Sequence, residues 1–239
     1  MIKQISLSFF FLFIAAIASA QDVRTDIKQM YKAYAELKHF SMEIEVKIYK
    51  QREDRLPSQT IKGLVKRDDK NYLAYIDKHR VMVNNEFTLY IDEKKSMIIY
   101  RDNKEKRGAK LKPMSYDMDE MGSLVDSIIS KSDSVIYNGV RGSNREYLIE
   151  SKTQVIQVAD VMIDTTSGII SKVIYYYNIS KMKQNNKVEV EFKNLKTGLA
   201  DGDKDFITSG YLATENGRKV GAGKYKGYRV FKDTKNGLN

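Results

Sequence analysis

Within Leu37-Lys38-His39-Phe40-Ser41-Met42-Glu43-Ile44-Glu45-Val46-Lys47-Ile48-Tyr49 the hydrophobic period of the chain changes from 3.6 to 2. Phe40, Met42, Ile44, Val46 and Ile48 alternate with Ser41, Glu43, Glu45, Lys47 and Tyr49, which predicts a long strand with one dry and one wet face. Upstream, Ile27, Met30, Tyr31, Tyr34 and Leu37 recur at spacings of three and four, so residues 22–38 read as an amphipathic helix. Asp22 and Asp26 fall in its first turns, where the helix dipole favours negative charge, and His39 closes it at the end that favours a basic residue.

Strand-like runs continue downstream at Ile61–Lys66, Tyr72–Ile76, Arg80–Val83, Phe87–Ile91 and Met97–Tyr100. Asn84-Asn85 and Asp92-Glu93-Lys94-Lys95 supply turn residues between them. A basic loop, Arg101–Lys112, ends at Pro113. Helical spacing then returns over Asp117–Ser130, with Met118, Met121, Leu124, Val125, Ile128 and Ile129 on one side. Later strands are expected at Tyr147–Glu150, Val155–Ile163, Ile169–Tyr177 and Val188–Phe192, with Asp164-Thr165-Thr166-Ser167-Gly168 as a turn, and a last short one at Tyr228–Phe231. No repeat and no clean linker divides the chain, so one main domain is the economical reading. The expected class is α+β, mainly β: a strongly curved antiparallel sheet or open barrel of about ten strands, with helices covering its concave face.

Composition removes several chemistries. The 239 residues contain no cysteine, so disulfides, thiol nucleophiles, cysteine-ligated metals and cysteine-linked lipid anchors are excluded. The only two histidines, His39 and His79, leave little for a histidine metal site, and no G-x-S-x-G elbow occurs. His79, between Lys78 and Arg80, reads as a surface residue. Asp201-Gly202-Asp203-Lys204-Asp205 has the early spacing of a calcium loop, but Phe206 stands at the glycine position and Leu212 at the glutamate position. Gly221-Ala222-Gly223-Lys224 approaches a phosphate loop, but Arg218 and Tyr225 replace its first glycine and its Ser/Thr, so it reads as a flexible loop. The expectation is a protein without catalytic residues, metal or cofactor; carboxylates are plentiful enough that an envelope-glycan hydrolase stays an alternative.

The first twenty residues read as an address. Lys3 precedes an apolar run from Ile5 to Ile17, and Ala18-Ser19-Ala20 supplies a small-residue cleavage site. Residues 1–20 are therefore expected to be a signal peptide cleaved after Ala20. Its removal takes the formal net charge from +10 to +9. The charges alternate in sign along the chain, which describes a solvated mixed surface, and export removes nucleic acid as a partner.

The order of these elements resembles the LolA-like periplasmic lipoprotein carriers and their lipid-sensing relatives. The resemblance covers about 22–206. It rests on the helix running into the alternating strand, on Gly63-Leu64-Val65-Lys66-Arg67, and on Val81-Met82-Val83-Asn84-Asn85-Glu86-Phe87-Thr88-Leu89-Tyr90-Ile91-Asp92. It also rests on the 117–130 helix, on Val161-Met162-Ile163-Asp164 and on Gly168-Ile169-Ile170 with Val173–Tyr177. It implies an unclosed antiparallel barrel whose apolar hollow holds acyl chains under a helical lid. By the same resemblance Arg67 would contact that lid, although Asp68 follows it where the family usually has proline. The implied function is a periplasmic, monomeric carrier of lipid or acylated lipoprotein, working between membrane-associated donor and acceptor proteins. An envelope interaction or sensory module with the same fold is the alternative. The lining expected from strand parity is Met42, Ile44, Val46, Ile48, Phe87, Leu89 and Ile91, with Leu124 and Ile128 from the covering helix. Residues 21–206 would form this domain, and residues 207–239 a Gly/Lys-rich extension that docks a partner or covers an edge strand.

Overall fold

The computed structural model describes residues 23–103, 131–151, 155–178, 186–198 and 204–233. The expected signal peptide and the 117–130 helix, with Leu124 and Ile128, lie outside the described residues. The chain forms two compact units, one from Met1–Ala35 with Tyr116–Lys187 and one from Glu36–Ser115 with Val188–Asn239. The expected class is the one observed. Among the described residues the protein is mainly β, with one α-helix and a large unclosed sheet of twelve strands.

The second unit starts from the alternating segment. That segment forms β1 (His39–Tyr49), in which Phe40, Met42 and Ile44 are buried and Glu43 is exposed. Four antiparallel neighbours follow by successive hairpins: β2 (Gln59–Asp68), β3 (Asn71–Ile76), β4 (His79–Val83) and β5 (Phe87–Asp92), and β6 (Met97–Asp102) extends the run. The turns form where the sequence places them, through side-chain acceptors. Asn84 Oδ1 takes the N–H groups of Glu86 and Phe87, both at 2.8 Å, and Asp92 Oδ1 takes that of Lys95 at 3.0 Å.

The first unit carries α1 (Val23–Glu36) and four antiparallel strands, β7 (Ser134–Arg141), β8 (Asn144–Glu150), β9 (Ile156–Asp164) and β10 (Ile170–Tyr177). Strand β11 (Lys187–Thr197) returns the chain to the second unit, where its Glu191 takes Lys47 of β1 at 3.1 Å. The β9–β10 turn is held by Asp164, whose Oδ1 accepts the N–H groups of Ser167 at 2.8 Å and Thr166 at 3.1 Å. The Ser167 N–H, first among these donors, holds the Asp164 carboxyl below the usual carboxylate range. A carboxylate with a lowered folded pKa stabilises the fold above its unfolded value of about 4, and that contribution is lost as pH falls through the folded value. Asp164→Asn keeps the acceptor and removes the titration. Its acid-unfolding curve is expected to be shallower than that of the wild type, read by circular dichroism across the acid range.

Three expectations need correction. α1 stops at Glu36, so His39 does not cap it. His39 opens β1 instead, paired in register with Asp68, its Nδ1 2.7 Å from the carboxylate. The Gly221–Lys224 stretch is no flexible loop. Gly221 ends β13 (Arg218–Gly221), and a Cβ there would lie 2.1 Å from the Tyr225 carbonyl oxygen, so only glycine fits. Behind it Tyr225 is buried at 2% exposure. Finally, β7 and the hairpin of β12 (Leu212–Glu215) with β13 are absent from the expected strands. The last strand, β14 (Arg229–Lys232), forms where expected and pairs in parallel with β6.

The segment after Lys204 is part of the second unit's core. Phe206, Tyr211, Leu212 and Tyr225 pack with Leu73, Met82, Phe87, Leu89, Ile91 and Ile98. Asn84 Nδ2 ties it down by donating to the Phe206 carbonyl and to Thr208 Oγ1, both at 2.9 Å. Lys66 pairs with Asp205 at 2.6 Å, and Arg101 pairs with Asp233 beyond β14.

Candidate functional site

The two units differ in how they use apolar side chains. In the second, Met82, Leu89, Ile91 and Ile98 are all at 0% exposure, the mark of a filled core. In the first, the same kinds of residue on the helix-facing side of β8–β10 are mostly only half-buried, and they surround a hollow of about 490 Å³.

The hollow is built by register. Tyr147 on β8 pairs with Val161 on β9, which pairs with Val173 on β10; two residues along, Ile149, Ala159 and Tyr175 form the next rung. Period-2 alternation puts both rungs on one face. Ile170 lies beyond the first rung, and Val155 and Ile156 beyond the second. Across this face α1 contributes Ile27, Met30 and Tyr31, which are i, i+3 and i+4 on its apolar stripe. Ala159 is the small residue of the second rung, and it borders the hollow. Burial in this apolar setting pushes the Tyr175 hydroxyl above the usual phenol value.

One polar network fixes the helix over the sheet. Asp26, 3% exposed, accepts from Arg145 Nη1 at 3.1 Å and from the Tyr147 hydroxyl. In the sequence Asp26 answers only to the helix dipole; in the fold its carboxylate reaches across to β8. Tyr147 in turn packs its ring on Tyr137, centroids 5.3 Å apart. Asp26→Asn is expected to cost roughly 1–3 kcal/mol, the range for a hydrogen bond to a buried charged group, because Arg145 keeps partial access to water. Urea unfolding of the variant measures it.

Polar lining is confined to one end. Lys131 and Ser132 precede β7, and Ser151 follows β8; the Ser151 hydroxyl donates to the Lys131 carbonyl at 3.4 Å. Among the described residues lining the hollow, Lys131 is the only Lys, Arg, His, Asp or Glu.

None of the described residues expected to line a hollow borders this one. Phe87, Leu89 and Ile91 belong to the packed core of the second unit. Met42 and Ile44 are buried and Val46 and Ile48 half-buried along β1, and none of the four borders the hollow of the first unit. Arg67 lies on β2 with its Nε donating to the Asp69 carbonyl at 3.0 Å. The missed lining had a readable signal: Tyr147/Ile149, Ala159/Val161 and Val173/Tyr175 share strand parity on three predicted strands, with an alanine where a filled core would use a larger residue.

Among the described residues no three His, Asp or Glu side chains are gathered as a metal site would need. His79, read as a surface residue, stacks on Tyr90 at 6.1 Å between centroids, with the phenol oxygen 3.0 Å from Nδ1. No described helix is long and apolar enough to cross a membrane.

No family model matches the chain, and no curated protein matches it. Among solved structures it is similar to an uncharacterized conserved protein of Thermus thermophilus. That likeness has 6% identity and a TM-score of 0.51, covering 89% of this chain and 100% of that one, and it concerns the fold alone. Lower-scoring likenesses include the lipoprotein LppX of Mycobacterium tuberculosis, with 10% identity, coverage of 76% and 99%, and a TM-score of 0.42. A LolA superfamily protein of Nitrosomonas europaea follows with 8% identity, coverage of 79% and 98%, and a TM-score of 0.33.

Proposed function

We propose that this protein is an exported, non-enzymatic carrier that binds an acyl chain of a lipid or lipoprotein in the hollow of its first unit. The observation that carries the reading is the apolar space between α1 and β8–β10, bordered by apolar side chains most of which are only half-buried. Burying each methylene of an acyl chain there contributes about 0.8 kcal/mol, so affinity needs no reactive group. Release needs a second conformation that a membrane-associated acceptor binds better than the loaded one. The leader-like residues 1–20 and the sequence resemblance to LolA-like carriers support the periplasm as the compartment in which it works.

The test is native mass spectrometry, followed by solvent extraction, of the mature protein purified without detergent from the periplasm of a diderm host. A co-purifying acylated species is the expected result. A clean apo mass, together with failure to take up added lipid, overturns the carrier reading and leaves an envelope interaction module.

A further inference from the structure

We propose that the hollow takes one acyl chain at a time, from an amphiphile whose anionic head group is held at Lys131; this rests on the carrier reading above and narrows its cargo. Two independent features of the first unit lead there, the size of the hollow and the placement of its polar residues.

Size limits the number of chains. Benzene fills an apolar protein cavity of about 150 Å³, or roughly 25 Å³ per carbon, so the hollow here holds about 20 carbons. That is one long chain. A diacyl phospholipid inserted by both tails, or a triacylated lipoprotein anchor inserted by all three, would need two to three times the space.

Polarity sets the direction of entry. Along β8 the lining runs from Tyr147 through Ile149 to Ser151, about 13 Å at the rise of an extended strand. Apolar residues surround the first two positions, whereas Lys131, Ser132 and Ser151 come together at the third. Lys131 is exposed at the mouth, on a stem long enough to follow a ligand head. Among the described residues that line the hollow there is no Asp or Glu to compete for it. A carboxylate or phosphate monoester head with its tail pointing toward Met30 and Ile170 satisfies both ends. A neutral head would leave the lysine without a role.

The experiment is displacement of a fluorescent fatty acid from the full mature protein. The competitors are saturated fatty acids shorter and longer than the size limit, the matching fatty alcohols, lysophosphatidic acid and a diacyl phosphatidylglycerol. The expected stoichiometry is one chain per protein, with affinity rising with length and levelling at about 20 carbons. Acids should bind about fivefold tighter than their alcohols, the factor expected of an exposed ion pair, and Lys131→Ala should remove that difference while leaving alcohol binding as it was. Comparing the fatty acid with lysophosphatidic acid tells a carboxylate head from a phosphate. Equal binding of acids and alcohols by the wild type, or a diacyl lipid outcompeting every single-chain ligand, overturns this proposal and leaves the carrier reading standing. Failure of every amphiphile to displace the probe, or of the probe to bind, overturns both.

Discussion

A chain that stops before Lys204 is expected to lose the cooperative fold of its second unit. The deletion removes Phe206, Tyr211, Leu212 and Tyr225, all buried, from a cluster whose other members are Leu73, Met82, Phe87, Leu89, Ile91 and Ile98. Truncating one large buried side chain costs about 2–5 kcal/mol. Four such losses are comparable to the roughly 5–15 kcal/mol by which a domain is stable. The deletion also strips β14 from β6 and bares a sheet edge that invites aggregation. Hydrogen exchange at the amides of β3–β6, compared with the full chain, is the measurement. Protection lost there with the first unit's amides unchanged is the expected result. An unaltered urea midpoint and unaltered protection would make the last 36 residues an appendage. As a milder probe, Tyr225→Ala is expected to destabilise by about 3–5 kcal/mol without loss of the fold.

This segment also shows where the sequence was hard to read. Strand β1 was legible because eleven residues alternate without interruption, and the Asp164 and Asn84 turns because their acceptors act within three residues. β7 was not, because Asn138-Gly139 looks like a turn in the middle of it. There Gly139 takes φ +95° and the register with β8 slips between Tyr137 and Gly139, so the pair is a bulge inside a strand. The β12–β13 hairpin was missed for the opposite reason. Asn216-Gly217, with φ +51° and +77°, is a strong two-residue hairpin signal, but its strands are four residues long and their charged members, Glu215, Arg218 and Lys219, mask any alternation.

The candidate site was half legible. Three of its strands and its helix follow from the sequence, yet strand parity points equally to β1 and β5, because hydrophobic alternation marks a dry face without saying whether that face is filled. What fills one and not the other is distant in sequence. The faces of β3–β6 receive four side chains from more than a hundred residues downstream, whereas β8–β10 face a helix that brings Ile27, Met30 and Tyr31. Asp26 meets Tyr147 across 121 positions, a pairing that no local pattern announces.

Ala159→Phe separates a hollow from a core most sharply. Ala159 sits between Ile149 and Tyr175 on the second rung, half-buried, and lines the hollow. A phenyl group adds six carbons, about 150 Å³ by the benzene measure, which is near a third of the 490 Å³. In a filled core that insertion would force neighbours out of their rotamers and cost about 1–3 kcal/mol. Into a hollow it gains apolar contact and should leave the thermal midpoint unchanged or raised. Binding should respond in the opposite sense. Losing room for about six methylenes at ~0.8 kcal/mol each removes up to about 5 kcal/mol from a long chain, so its affinity is expected to fall by up to about a thousandfold. A chain about six carbons shorter should lose much less affinity, because its volume still fits the room that the ring leaves. Calorimetric titration of both ligands and a thermal melt of the same preparation give the two readouts. A stable variant that binds the long chain as tightly as the wild type would place acyl binding elsewhere in the protein, and a destabilised one would show that the face over β9 is packed.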